Sequence, residues 1–200
     1  MNRYILRLMA PATALAALSA CATPAYVSPV EVTRFTGSSP AELGRGTIRI
    51  DAATGLDSSA LEYGLYKAEL AQELTTLGYE LVSGSARQIA VLGVDQSINR
   101  QQRRGPISVG GGAGTGSYGS GVGLGVGINL GGNQRADEIY TQVAIQIRPE
   151  AGGNNLWEGR ADFTATENSD FADPALAADR AIGALFRGFP GRSGETITVE

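Results

Sequence analysis

Residues 139–148, with the sequence IYTQVAIQIR, set the expectation for the whole fold. Along this stretch every second side chain faces the same side of an extended chain: Ile139, Thr141, Val143, Ile145 and Ile147. A period of two is typical of an antiparallel strand with one face against the core and one toward solvent. The stretch therefore predicts an antiparallel sheet with an apolar inner face.

Further strands are predicted on both sides of this stretch. Residues 149–155 turn the chain, and 156–164 return with Trp157 on the inner side. Short β-branched or alternating segments predict the other strands: 30–35, 47–51, 79–82, 88–98 and an edge strand at 196–199. The outer face should be partly polar because it carries these side chains: Gln142, Gln146, Glu158, Arg160 and Asp162.

A first helix is predicted after Ser59. Ser59 and Glu62 have the spacing of a capping box, in which each side chain satisfies a free backbone donor at the helix start. Apolar side chains follow at helical spacing: Tyr63, Tyr66, Leu70, Leu74 and Leu77. Gly78 stands where a left-handed C-terminal cap is favoured. The tyrosine pair could belong to a binding feature, but this spacing favours a place in the core.

A second helix is predicted from Asp173 as N-cap and Pro174 as first helical residue, and Pro190 should end it. Its buried stripe is predicted to be Ala178, Ile182, Leu185, Phe186 and Phe189. The predicted fold class is α+β: an antiparallel sheet with two helices packed on one face, plus a glycine-rich hairpin loop.

The glycine-rich segment, residues 105–133, holds 13 of the 28 glycines. Residues 114–119 match the dinucleotide-binding fingerprint in spacing, but further glycines follow where that fingerprint requires a helix. From residue 121 apolar side chains alternate with glycine: Val122, Leu124, Val126 and Ile128. Two interpretations stay open. One is a flexible hairpin loop without fixed structure, and the other is a β-ribbon whose apolar face meets a membrane, a partner or another copy.

The first residues have the pattern of an export signal. Arg3 and Arg7 precede an uncharged run too short to span a bilayer, which needs about 20 apolar residues. The run ends in Leu18-Ser19-Ala20-Cys21, which resembles the lipobox of bacterial lipoproteins, whose cysteine is acylated. The alternative is an ordinary signal peptide with a chance cysteine. The predicted organisation is a signal peptide (1–20), a lipid-anchored tether (21–29) and one α+β domain (30–200) with an insertion at 105–133.

The composition excludes several chemistries. There is no histidine and one cysteine, so histidine-dependent catalytic sites and cysteine-rich zinc sites are impossible. The net charge of −4 offers no basic stripe for nucleic acid. Glu158 and Asp162 would lie about 13 Å apart on one strand face, beyond the roughly 5–9.5 Å of glycosidase carboxylates. We therefore predict no catalytic, cofactor-binding or metal-binding residues, and lipidation at Cys21.

Several segments in a fixed order resemble an uncharacterised family of Gram-negative envelope lipoproteins, domain of unknown function 4136. The segments are Val32-Thr33-Arg34-Phe35, Ser59 through Tyr79, Leu156-Trp157-Glu158-Gly159, Phe189-Pro190-Gly191 and Ser193-Gly194-Glu195-Thr196. The resemblance covers most of the chain after the tether. It implies an envelope location and a fold of sheet and helices, and it brings no established activity.

Together these observations predict an exported, membrane-anchored lipoprotein that acts as a non-enzymatic interaction or structural module. Ala22 after the cysteine favours the outer membrane, facing the periplasm. The expected partners are the membrane, through the lipid on Cys21, and another envelope protein; the oligomeric state stays open. The alternative is a carrier of a small apolar or lipid ligand in the periplasm. A carrier needs an unfilled apolar cavity, whereas an interaction module should be packed solid.

Overall fold

The computed structural model describes residues 23–100, 107–116, 119–128 and 136–200, and for 107–116 and 119–128 it describes the backbone alone. The chain divides into two compact units: Met1–Pro24 with Gln101–Ala136, and Ala25–Arg100 with Asp137–Glu200. The predicted signal peptide and Cys21 lie outside the described residues.

The described strands and α-helices follow one another in this order: β1 (Val30–Thr36), β2 (Thr47–Ala52), α1 (Leu61–Thr76), β3 (Glu80–Leu81), β4 (Gln88–Asn99), β5 (Ile107–Gly116), β6 (Gly119–Ile128), β7 (Glu138–Pro149), β8 (Trp157–Thr166), α2 (Pro174–Phe186) and β9 (Glu195–Val199). Short 3₁₀ turns cover Pro40–Glu42 and Asp170–Ala172. Each strand predicted in the larger unit has a counterpart in this order.

The seven-stranded sheet of the larger unit has the order β3-β2-β4-β7-β8-β1-β9. In the part of the sheet with the order β4-β7-β8-β1-β9, neighbouring strands run antiparallel. At the other end, β2 pairs parallel with both β3 and β4. The prediction of an antiparallel sheet is therefore wrong. The sheet is mixed, and the class is α+β in the broader sense.

The parallel pairing follows from the position of α1 in the chain. Parallel neighbours need a crossover of a dozen or more residues, usually a helix, to bring the chain back to the same end of the sheet. Leu61–Thr76 supplies this crossover between β2 and β4. The sequence carried this signal as strand, helix and strand in succession, which favours a parallel pair.

Both helices contribute side chains to the same apolar core as the inner face of the sheet. The buried face of α1 is the predicted one, with Tyr63, Tyr66, Leu70 and Leu74 inside. Gly78 takes the predicted left-handed conformation, with φ of 100°. The capping box is wrong: Ala60 is the N-cap, and Ser59 Oγ donates instead to Asp57 Oδ1 at 2.6 Å.

The start of α2 confirms the prediction. Asp173 is the N-cap, and its carboxylate accepts from the backbone N–H of Ala175 at 2.8 Å and of Leu176 at 3.3 Å. An aspartate here also complements the positive end of the helix dipole. The predicted stripe of α2 is buried at Ala178, Ile182, Leu185 and Phe186. The predicted end is wrong: the helix ends at Phe186, so Phe189 lies beyond it and is half-buried.

The core is tightly packed beside Trp157, which is fully buried and stacks on Phe186 with ring centroids 5.3 Å apart. Gly159 lies directly beneath these side chains. A Cβ atom at Gly159 would stand 2.3 Å from the indole of Trp157 and 2.8 Å from Leu185 Cδ1. The layer between sheet and helices therefore leaves no room for a single methyl group at this point.

In the smaller unit, β5 and β6 form an antiparallel two-stranded sheet. Their register runs from Ile107 opposite Ile128 to Gly116 opposite Gly119. Val109 is opposite Val126, and most glycines are opposite glycines. Of the two interpretations of the glycine-rich segment, the described backbone follows the β-ribbon.

Candidate functional site

The face of the sheet turned away from both helices, here called the open face, is the candidate site. Alternation brings its side chains outward between buried neighbours on each strand, as the burial pattern of β8 shows. Its central strands carry these outward residues: Glu31, Thr33 and Phe35 on β1; Glu158, Arg160 and Asp162 on β8; Gln142, Ala144 and Gln146 on β7; and Val91, Gly93 and Asp95 on β4. The predicted polar outer face is present on β7 and β8.

At the β2 end of the open face, the charges are paired. Arg49 Nε donates to Asp51 Oδ1 at 3.0 Å, and Arg49 Nη1 donates to Glu150 Oε1. The other oxygen of Glu150 accepts from the backbone N–H of Ala86 at 2.6 Å. The bond from Arg49, with that from Ala86, lowers the pKa of the Glu150 carboxyl. Both carboxylates of this group therefore accept hydrogen bonds from donors within the chain.

At the β1–β8 end, two carboxylates stand directly opposite each other. The register pairs Glu31 with Asp162, and on the other side of Asp162 lies Gln142, opposite Asp95. We call these four side chains the acidic row. Like charges in a direct cross-strand pair are destabilising. Burial and then the charge of Glu31 raise the pKa of Asp162, and Arg160 only partly opposes them.

Phe35 adds an apolar side chain to the same end of the face. Phe35 is 51 % exposed and lies near the end of the β1–β8 pair, opposite Glu158. Glu158 accepts from Asn155 Nδ2, so its carboxylate is held beside the ring. Large exposed aromatic rings next to fixed polar groups are typical anchors of protein interfaces.

In a chain without histidine, acid–base chemistry near neutral pH would need carboxylates, tyrosines or Lys67, and among the described residues the structure does not gather these side chains into one site. Tyr63 and Tyr66 are buried in the core, and burial raises the pKa of Tyr66 to about 12, although its hydroxyl accepts from Gln96. Lys67 is exposed on α1. Glu158 and Asp162 share the open face but lie apart along β8, since Glu158 is opposite Phe35 and Asp162 is opposite Glu31.

Within the described part of the chain, no group of three or more acidic, cysteine or histidine side chains is arranged to hold a metal ion. Among the same residues, no helix is both long and apolar enough to cross a membrane. Cys21 lies outside the described residues, so its lipidation stays a prediction.

Glu31, Asp95 and Phe35 were not predicted as parts of a site. The alternation of residues 30–35 could have placed Glu31 and Phe35 on an outer face. It could not have placed Glu31 opposite Asp162, because register between strands so distant in sequence is set by the assembled sheet.

Comparison with known proteins places the chain in a family without assigning it an activity. No family model matches the chain. A crystal structure of a PDZ domain protein from Parabacteroides distasonis is similar in fold, with a TM-score of 0.50 and 15% identity over 92% of this chain. This chain spans only 41% of that structure's length.

A PelC dodecamer structure from Paraburkholderia phytofirmans gives a TM-score of 0.44 at 12% identity, covering 82% of this chain and 99% of that chain.

In sequence, the uncharacterized protein ZMO1243 of Zymomonas mobilis is 32% identical over 215 aligned positions, which cover 86% of this chain and 80% of that protein. The chain therefore belongs to the same family as the uncharacterized protein ZMO1243.

Proposed function

We propose that this protein is a lipoprotein, acylated on Cys21, whose folded domain is held at the periplasmic side of the outer membrane. The domain contacts another envelope protein through the β1–β8 end of the open face and carries out no chemistry of its own. The partner presents lysine or arginine side chains to the acidic row and an apolar pocket to Phe35.

The observation that carries this proposal is the cross-strand pair of Glu31 and Asp162. The pair lowers the stability of the isolated domain, because the two negative charges repel each other. Burial, and then the charge of Glu31, also raise the pKa of Asp162. A partner's cations would turn this repulsion into attraction. Surfaces that keep unfavourable local charge are typical of functional sites, where local stability is given up for binding.

The packing around Gly159 supports an interaction module rather than a carrier. A carrier would hold its ligand between sheet and helices, where Trp157 and Leu185 leave no space for a Cβ atom on Gly159. Native mass spectrometry of the protein purified from membranes tests this alternative. We expect the mass of the chain and its lipid anchor alone, and a second copurifying lipid would favour the carrier.

The membrane tether is tested by the intact mass of the protein after membrane fractionation. We expect the wild-type chain in the membrane fraction, beginning at Cys21 and carrying acyl chains. The Cys21→Ser variant should lose both the added mass and the membrane association. An unmodified, freely extractable product from both chains would contradict lipidation.

The contact surface is tested by placing a photoreactive phenylalanine analogue at Phe35 and irradiating living cells. Leu176 on α2 is the matched control position, since it is apolar and 44 % exposed, close to the 51 % of Phe35. We expect a discrete crosslinked product from position 35 only, and a weaker one when Glu31→Lys is added. The same product from position 176, or no effect of Glu31→Lys, would contradict the proposed surface.

A further inference from the structure

A cavity of about 250 Å³ lies beyond the C-terminal end of α2, away from the acidic row. Its lining combines three arginines with one carboxylate and small or apolar residues: Arg34, Arg187, Gly188, Gly191, Arg192, Glu195 and Ile197. The arginines come from β1 and from the loop between α2 and β9. Arg187 and Arg192 are exposed, so the cavity is open to solvent between them. Three guanidinium groups against one carboxylate make the lining cationic.

Arg34 is the buried member of this lining. Its side chain is on the inner face of β1, and the residue is only 5 % exposed. Arg34 Nη2 donates to the carbonyl of Ala184 at 3.2 Å, whereas Nε has no hydrogen-bond partner among the described residues. Burial lowers the pKa of Arg34, and the charge of Glu195 opposes this effect. Glu195 is opposite Arg34 in the strand register but does not form an ion pair with it.

The bond to Ala184 shows that Arg34 also covers a carbonyl in the last turn of α2, a position where cations are favourable. That role uses one of the five N–H donors of the guanidinium. It does not account for the unpaired Nε, nor for two further arginines around the same cavity. A buried cation without a counter-ion is costly, so the group is incomplete without an anion.

The loop over Arg34 is held in place on several sides. Trp157 Nε1 donates to the carbonyl of Pro190 at 2.9 Å, and the N–H of Gly194 donates to the carbonyl of Arg34 at 2.8 Å. Gly191, with φ of 77°, passes so close that a Cβ atom there would stand 2.7 Å from Arg34 Nη1. The loop therefore presents its arginines from a fixed frame, which lowers the entropy cost of binding.

We propose that this cavity binds a phosphate group, contacted by the guanidinium groups of Arg34, Arg187 and Arg192. Guanidinium groups match the oxygens of phosphate with paired, charge-assisted hydrogen bonds. The phosphate group can be free inorganic phosphate or the headgroup of an anionic phospholipid. The site is independent of the proposed interaction through the acidic row.

The test is isothermal titration of the full-length Cys21→Ser chain with inorganic phosphate. A second arm measures cosedimentation with vesicles of phosphatidylglycerol in phosphatidylcholine. Each arm compares the starting chain with Arg187→Gln/Arg192→Gln, which keeps the buried Arg34. The matched control is Arg45→Gln/Arg87→Gln, which removes two exposed loop arginines that do not line the cavity. Thermal unfolding of each variant checks that the fold is retained.

We expect saturable phosphate binding with a Kd of about 1 mM or tighter, weakened ~10-fold or more by Arg187→Gln/Arg192→Gln and unchanged by the control. The same variant dependence on phosphatidylglycerol vesicles assigns the site to a lipid headgroup, and its restriction to inorganic phosphate assigns it to the free ion. Absence of binding in both arms would overturn the proposal. So would an equal loss in both double variants, since that result indicates only a general charge effect.

Discussion

The two halves of the sheet differ in how the charged side chains on the open face are paired. In the parallel half, β3-β2-β4, Arg49 forms ion pairs with Asp51 and Glu150 at the β2 end of the open face. In the antiparallel half, β8-β1-β9, Glu31 stands opposite Asp162, and Phe35 is left exposed. The inner side of this half, around Trp157 and Gly159, is nevertheless tightly packed.

This difference suits the two parts of one sheet to different roles, one in stability and the other in binding. Carboxylates that already pair with an arginine of the same chain, as at the β2 end, have little electrostatic reason to meet another molecule. The antiparallel half has a tightly packed inner face, and two like charges stand opposite each other on its open face. This is the arrangement expected of a preorganised contact surface. Stability variants in the two halves can therefore break or sharpen the comparison.

The largest effect is expected from adding one methyl group to the core of the antiparallel half. Gly159→Ala should destabilise the domain by about 1–3 kcal/mol, because its Cβ would overlap with Trp157 and Leu185. Gly93→Ala on β4 is the matched control, since its Cβ would have no neighbour closer than 3.5 Å. Urea unfolding of both variants measures the difference. Equal losses in the two would show that packing does not distinguish the halves.

A smaller effect is expected at the helix starts. Asp173→Ala should cost about 1 kcal/mol, because the first-turn N–H groups of Ala175 and Leu176 lose their acceptor. Ser59→Ala should have a much smaller effect, since Ser59 does not cap α1. Thermal unfolding checks both variants. A larger loss for Ser59→Ala would restore the capping box that the sequence predicts.

The ion pairs of the parallel half are expected to give the next smaller effect. Glu150→Gln should lower the melting temperature slightly at neutral pH, since both side chains of the pair are partly exposed and such pairs contribute little. In a double-mutant cycle with Arg49→Gln, the two losses should be less than additive. Additive losses would mean that the two side chains do not act as a pair.

Much of this fold was predictable because it depends on local patterns. The strand at 139–148, the buried stripes of both helices and the cap at Asp173 all follow from spacing along the chain. The direction of β2 was predicted wrongly, although the intervening helix favours a parallel pair. The capping box failed because Asp57, two residues away, competes for the hydroxyl of Ser59.

The candidate site was less predictable than the fold because it depends on long-range pairing. Glu158, Arg160 and Asp162 could be assigned to an outer face from alternation alone. The approach of Glu31 to Asp162 depends on the register of β1 against β8, and the cavity at Arg34 depends on the loop before β9. Neither leaves a trace in local sequence, since an arginine or a glutamate in a strand is ordinarily a solvated charge.

The most direct test of the account compares Asp162→Asn with Glu150→Gln by equilibrium unfolding across acid and neutral pH. The pKa of Asp162 is raised above 3.8, so the wild-type chain loses stability as pH rises through that pKa. The pKa of Glu150 is lowered below 4.5, so its contribution is present above 4.5 and is lost as pH falls through the lowered value. At neutral pH we expect Asp162→Asn to be more stable than the wild type and Glu150→Gln to be less stable, with both differences vanishing in acid. Changes of the same sign at neutral pH would contradict the division of the open face into an ion-paired end at β2 and a binding end at β1 and β8.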